Sequence, residues 1–309
     1  MKDVWTIFTP NQALQFLDQV RIIEDGVDQE IRSSAPRELS HYRLIHTRTW
    51  LRALHVIRRV FPVIDRPLRV LELGASPYFF TALLAHHIPC EIVASTLPAL
   101  TWPGEPLDIR PYPVVLAYGR DQQRFHFQTW TFNIEKDPFP FASASFDLVL
   151  CMEVMEHLTY CPSHTLAEAH RVLRPGGKIL ITVPNYLRSQ RILQVALGRP
   201  DDFPYVGTGI QGRHQRELTY DEMKILLEAC NYRIDYLDVE IVWPWEPAMT
   251  LPGRVLAALL HGFLRLPIAY ARKRRELIIA LATPIGEPRL GYPSQLYDDP
   301  TAFPQRLPV

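Results

Sequence analysis

An α/β fold built around a parallel sheet is predicted by three features of this 309-residue sequence. The first is Arg69–Ala85, RVLELGASPYFFTALLA, which reads as a strand, a tight turn at Gly74 and a helix. The second is a series of short apolar runs of strand length, Cys90–Ser95, Phe146–Cys151 and Lys178–Val183. The third is a helix between the last two, Ser163–Leu173, stopped by Pro175, Gly176 and Gly177, with Ser163 as its N-cap. Strands separated by helices are the pattern of βα units.

In order along the chain, residues 1–63 read as a helical cap. Gln12–Val20 and Leu39–Phe61 carry apolar residues at three- and four-residue spacings. The second of these holds Arg43, Arg48, Arg52, Arg58 and Arg59. They form either a solvated basic face or a cap over a ligand, with Tyr42, Arg43 or Arg48 reaching a carboxylate. Residues 97–123 hold many prolines and no period, and read as a loop or irregular insertion. Arg124–Phe132 alternates as a strand does. Glu153–Leu158 reads as a short helical turn. Residues 184–217 are loop-rich. Thr219–Ala229 is a helix opened by a capping box, Thr219 with Glu222. Arg233–Val242 and Leu277–Thr283 are the last strands. An apolar helical insertion at about 247–275 separates them, and residues 286–309 form a proline-rich, poorly ordered tail.

Lys+Arg and Asp+Glu both number 33, so no overall field favours nucleic acid. Cys90, Cys151, Cys161 and Cys230 show no CxxC pair or zinc spacing, which fits thiols in a reducing, cytoplasmic compartment. The start of the chain shows no signal-peptide pattern. The core of the insertion, Pro252–Pro267, is too short and too interrupted by Arg254, His261 and Arg265 to span a bilayer. It reads as a packing helix, a lid, or an interfacial helix giving peripheral membrane contact through residues 251–275.

A ligand at the carboxyl end of the first strand can lie over the turn and meet the N–H groups of the incoming helix. A side chain at Gly74 would hold it off, and the Glu72 carboxylate is costly to bury without a partner. The turn is not G-x-G-x-x-G: Ser76 and Tyr78 stand where the second and third glycines would be, a poor fit for a dinucleotide.

The series ELGASPYF, FNIEKDPFPFASASFDLVLCMEVMEHL, EAHRVLRPGGKILITVPN and GRHQRELTYDEM, in that order over about residues 67–240, resembles class I S-adenosylmethionine-dependent methyltransferases. Within that class it is similar to type 11 and 12 methyltransferase domains. The EVMEHL piece is similar to ubiquinone-biosynthesis O-methyltransferases and plant small-RNA 2′-O-methyltransferases. The resemblance implies a Rossmann-like seven-stranded sheet over residues 64–285, its last strand antiparallel. It implies S-adenosylmethionine as cofactor. Glu72, Gly74 and Ser76 then form the cofactor turn, Asn133 and Ile134 meet the adenine, and Cys151, Met152 and Glu153 pass the methionine part. Thr96 stands where the family places the acid that grips the ribose hydroxyls, and a hydroxyl lacks that charge-assisted strength.

Glu153, Glu156 and His157 share one face of a helical turn by their i, i+3, i+4 spacing. His157, with Glu156, is a candidate general base for a hydroxyl acceptor. Alternatively Glu153, Glu156, His157 and His214 hold a divalent metal such as Mg, an arrangement implied by the small-RNA enzymes. A third reading is that Glu156 and His157 only brace the loop. His214 and Arg216 in the RHQRE run, with Tyr186, Arg188 and Arg191, either form a salt-bridged surface or bind a polyhydroxylated acceptor. The expected function is O-methylation of a small-molecule or glycan- or lipid-linked acceptor. The alternatives are an RNA 2′-O-methyltransferase and a non-catalytic binding protein of the same fold.

Overall fold

Val70 and Leu71 point to opposite faces of one sheet, as do Leu148 and Val149, and Ile279 and Ile278. That alternation builds two cores and hence three layers. The computed structural model describes residues 7–24, 27–28, 36–97, 109–118, 123–159, 161–198, 213–242, 259–260 and 262–307. Its elements in chain order are α1 (Pro10–Leu17), β1 (Arg21–Glu24), β2 (Val27–Asp28), α2 (Pro36–Val60), β3 (Leu68–Leu73), α3 (Phe79–His87), β4 (Cys90–Thr96), β5 (Pro111–Tyr118) and β6 (Gln123–Thr131). There follow β7 (Phe146–Met152), α4 (Pro162–Val172), β8 (Leu173–Pro184), α5 (Ser189–Ala196), α6 (Tyr220–Ala229), β9 (Tyr232–Glu240), α7 (Ala269–Arg272) and β10 (Leu277–Pro284). Helices α1, α2 and α3 fill one core and α4 and α6 the other.

The sheet runs β2-β1-β5-β6-β4-β3-β7-β8-β10-β9. From β6 to β8 all pairs are parallel. β10 lies antiparallel between β8 and β9, as the expected last strand should. The sheet order reverses between β3 and β7, since β4 lies to one side of β3 and β7 to the other. Open α/β sheets bind ligands beyond the carboxyl ends of the strands at such a point.

Several sequence expectations are corrected. The sheet has ten strands among the described residues, not seven, because β2, β1 and β5 extend one edge. Within residues 97–123, read as a loop, Pro111–Tyr118 is a strand. Its prolines at 111 and 113 conceal it, yet β1 pairs only with Val114–Ala117, so both prolines sit where no ladder is needed on that side. Residues 189–196 form a helix inside a stretch read as loop. Ser163 is not the cap of α4; Cys161 occupies that position without a side-chain bond. The hydroxyl of Ser163 instead donates to the carbonyl of Gly291. Pro175–Gly177 does not end the helix: α4 stops at Val172, and the proline–glycine run bulges out of β8 opposite Asp147. The capping box of α6 is present as read.

The tail is also corrected. Residues 285–307 pack on the α4–α6 side, with Tyr292, Tyr297 and Phe303 in mutual ring contact at 5.1–5.2 Å. Gly291 lies so close to the backbone of Ala229 that a Cβ there would be 2.4 Å from its carbonyl. Half of Pro252–Pro267, residues 252–258 and 261, lies outside the described residues; residues 259–260 and 262–264 are helical. No helix among the described residues is long and apolar enough to cross a membrane.

Because backbone cannot yield as a flexible side chain can, Gly291→Ala is expected to destabilise the chain by about 1–3 kcal/mol. Urea unfolding of the two proteins measures this; equal midpoints would show that the tail is not held there.

Candidate active site

Two turns meet at the reversal point. Gly74 follows β3 with φ +64°, and Val154 follows β7; a Cβ at Gly74 would stand 2.6 Å from the Val154 side chain. Gly74 and Ser76 are exposed while their neighbours Leu73, Ala75 and Tyr78 are buried, so the turn offers open backbone. Glu72 is buried beneath it and accepts from the Thr81 hydroxyl at 2.7 Å. Burial pushes its carboxyl up to about 8, against the pull of that hydrogen bond.

Tyr78 caps α3 in the left-handed region, φ 62°. Its hydroxyl and that of Tyr112 on β5 both donate to the same oxygen of Glu24 on β1, at 2.9 and 2.8 Å. The added edge strands therefore brace the Gly74–Tyr78 turn. Neither Tyr112 nor Glu24 was singled out from sequence, because the partnership joins segments 34 to 88 residues apart.

On the far side of β4, Asn133 and Ile134 follow β6. The side-chain oxygen of Asn133 accepts from Glu135 N–H, and Asp137 accepts from Asn133 N–H. The Thr165 hydroxyl on α4 donates to the Ile134 carbonyl at 2.8 Å. Glu168 accepts from Phe139 N–H, and Arg171 donates to the Phe139 and Phe141 carbonyls. Helix α4 thus fixes the loop. Thr96 ends β4 in register with Thr131 and is half-buried. Cys151 faces the core with no exposed surface, so its backbone alone reaches the strand end; burial pushes its thiol well above the ordinary range.

Beyond β7 the chain turns sharply. Glu153 has φ 54°, a conformation uncommon outside glycine, and Met155–His157 form one 3-10 turn. Glu156 is 1% exposed, and neither carboxylate oxygen has a hydrogen-bond partner. Its ligand atoms and those of His157 and His214 lie within 4.8 Å of one another. The two imidazoles meet edge to face at 4.8 Å. The Nδ1 of His157 lies 3.1 Å from the Arg213 carbonyl, and the Nδ1 of His214 lies 2.9 Å from Glu217. Each contact orients its ring. Backbone N–H groups of Gln215 and Arg216 donate to the Glu156 carbonyl, which ties this loop to the turn. Glu153 lies outside the cluster of three; burial raises its carboxyl to about 7, opposed by a hydrogen bond from Thr182. Burial, then the charge of Glu153, raises Glu156.

His214 also borders a cavity of about 500 Å³ shared with Tyr186, Arg191, Arg213, Glu217 and Glu222. Arg191 stacks on the Tyr186 ring at 4.3 Å. Arg188 and Arg191 both pair with Glu217. Burial opposes ionisation of Glu217, but His214 and Arg188 outweigh it and hold the carboxyl at about 2. Arg216 pairs with Glu222 at 2.7 Å.

Helix α2 closes the other side with Tyr42, His46 and Trp50, one turn apart on one face. Tyr42 is raised by burial and then by Glu153, Glu156 and Glu72. His46 is lowered to about 4 by burial and then by His214 and His157. Of the cap residues named from sequence, Tyr42 therefore faces the site. Arg43 is pinned by Asp18 at 3.1 Å over the Phe79 ring, and Arg48 is exposed. His46 was missed, although the four-residue spacing of the three rings marks it.

A methyltransferase-domain family model matches residues 106–181. A relative from Mycolicibacterium smegmatis, called a "Probable S-adenosylmethionine-dependent methyltransferase", is 31% identical over 103 residues. That is 33% of this chain, and the match spans 34% of the relative's length. Among solved structures, the chain is similar to a methyltransferase of Burkholderia thailandensis acting at N1 of 1,6-didemethyltoxoflavin (18% identity, TM-score 0.42, 77% of this chain and 78% of that one). It is also similar to an S-adenosylmethionine-dependent methyltransferase of Archaeoglobus fulgidus (14%, 0.42, 74% and 91%).

The ligand-free chain should lose stability as pH rises. Unfolded, Glu72 titrates near 4.5; folded, it keeps its proton to about 8. Its contribution is therefore fully present below pH 4.5 and is lost as pH rises through 8, at about 1.4 kcal/mol per pH unit. Glu153 and Glu276, both raised to about 7 by burial, act in the same direction. Urea unfolding across this range should show a shallower loss in Glu72→Gln; an unchanged slope would put the titration elsewhere.

Proposed function

We propose that this chain, which the family and sequence matches support as a class I S-adenosylmethionine-dependent methyltransferase, transfers the methyl group to a hydroxyl of a small or lipid- or glycan-linked acceptor. The observation that carries the acceptor chemistry is the cluster of Glu156, His157 and His214 at the end of β7, beside the Gly74 turn.

The residues fit the cofactor. Gly74 and Ser76 present open backbone, Glu72 beneath them would partner an ammonium group, and Asn133 and Ile134 after β6 would border the adenine. When bound, S-adenosylmethionine supplies an already activated methyl group, so the protein's task is to position the partners and exclude water. Helix α2 excludes water with Tyr42, His46 and Trp50. A hydroxyl acceptor must give up its proton as its oxygen takes the methyl. With its Nδ1 hydrogen held by the Arg213 carbonyl, His157 receives that proton at Nε2. This atom lies 4.0 Å from Glu156, and an imidazolium formed there would favour ionisation of that raised carboxyl, so the two groups stabilise one another when charged.

The same three side chains favour a second reading. A buried carboxylate with two unpartnered oxygens, beside two imidazoles oriented through Nδ1, fits a divalent cation. Glu156, His157 and His214 would hold it, without Glu153, and it would polarise the acceptor oxygen.

Calorimetry and turnover separate these. His157→Ala should retain S-adenosylmethionine affinity and lose about 10²–10⁴ in kcat. If chelator leaves the wild-type rate unchanged, His157 acts as the base; if chelator abolishes turnover and Mg²⁺ or Mn²⁺ restores it, the cation reading holds. No heat of cofactor binding by the wild-type chain would sink both.

A further inference from the structure

We propose that α5 and the segment around α7 form one docking surface for an anionic lipid bilayer. We further infer, resting on the methyl-transfer reading above, that the acceptor enters the cavity at His214 from that surface.

Helix α5 points its apolar side outward. Ile192 is exposed, Val195 and the following Leu197 are each 60% exposed, and Ser189 is the helix's buried residue. A helix of a globular protein ordinarily buries that stripe. A second outward run follows at residues 265–270, where Leu266 and Ile268 are exposed and Tyr270 is 61% exposed.

The two runs are fastened together. The backbone N–H and hydroxyl of Ser189 both donate to the Arg274 carbonyl, at 2.8 and 3.0 Å. The Asn185 side chain donates to the carbonyls of Lys273 and Arg275. Six large apolar side chains exposed on two fastened segments are the kind of surface that marks an interaction site.

Charge selects the occupant. Residues 265–275 carry Arg265, Arg272, Lys273, Arg274 and Arg275 and no acidic residue. Two of these pair with acids from elsewhere, Arg272 with Asp238 and Lys273 with Asp221, each at 2.7 Å. Arg274 lies over the Tyr270 ring at 4.4 Å. Exposed aliphatic and aromatic groups rimmed by cations match the boundary between acyl chains and anionic head groups. A second copy meeting this face with its own would bring the cations together, which opposes a symmetric pair. With no membrane-crossing helix among the described residues, the contact lies in the plane of the bilayer surface.

The surface adjoins the cavity through Tyr186, which precedes α5 and is exposed, and Arg191 within α5; both line it with His214. An acceptor anchored by an acyl chain would present its head group there without leaving the bilayer.

Flotation of the full chain with phosphatidylcholine–phosphatidylserine vesicles tests this, with pure phosphatidylcholine as the second arm. Binding should be stronger by about tenfold or more on the anionic vesicles. It should be lost in Ile268→Asp/Tyr270→Asp and in Ile192→Asp/Leu197→Asp, with S-adenosylmethionine affinity by calorimetry unchanged. Absent flotation of wild type, or equal flotation of the variants, overturns the proposal. So does light scattering that shows a wild-type dimer which the same variants dissolve. Calorimetric cofactor binding is independent of vesicles, so failure here leaves the methyl-transfer reading standing.

Discussion

The closeness of two turns governs this molecule. Where the sheet order reverses, the chain leaving β3 and the chain leaving β7 pass so near that Val154 occupies the space a side chain on residue 74 would need. Glycine is required there twice over, for its positive φ and for that approach. The contact brings Glu72 and the Glu153–His157 turn together at the carboxyl edge of the sheet. The helices and added strands then hold these turns in place. α4 pins the loop after β6 through Thr165, Glu168 and Arg171, and Glu24 with Tyr112 pins Tyr78.

This end of the sheet gathers buried acids. Glu72, Glu153 and Glu156 are all raised, each chiefly by burial, and Tyr42 is raised partly by their charge. Glu217 goes the other way because two guanidiniums and an imidazole surround it. Neighbouring carboxyls pushed to opposite sides of the ordinary carboxylate value are a mark of functional sites. Raised acids suit a place that receives a cation, whether an ammonium, an imidazolium or a metal. The ionised Glu217 instead orients His214 and neutralises the arginines of the cavity.

The parallel core was legible because its strands are contiguous apolar runs ended by glycine or helix signals. β3, β4 and β7 stand within a residue of their sequence reading, while β8 contains Lys178–Val183 but begins earlier, at Leu173. The edge was not. β1 is four residues long, and β5 carries two prolines that only its partial pairing tolerates. α5 escaped notice because its apolar face finds no core, so the usual reason for a helix is missing. At the site, Glu156, His157 and His214 were readable as ligand-type residues, but 57 positions separate His157 from His214. Their convergence depends on the N–H groups of Gln215 and Arg216 reaching the Glu156 carbonyl, which no spacing announces.

What distinguishes this chain from a bare α/β sheet lies in what was added at either side of the two turns. At one edge, three extra strands fix Tyr78, a bulky residue where the turn departs from a glycine pattern. A tyrosine in a left-handed conformation is strained, and its hydroxyl's bond to Glu24 offsets part of that cost. The departure at position 78 and the extra strands therefore explain one another. At the other edge, α2 lays Tyr42, His46 and Trp50 across the acids, while the cavity beside His214 is left to polar and aromatic groups. The side under α2 is thus closed by fixed packing, and the cavity beside His214 opens towards α5 through Tyr186 and Arg191. On the methyl-transfer reading proposed above, that division would hold the donor in one pose and leave acceptor choice to the surface beyond Tyr186.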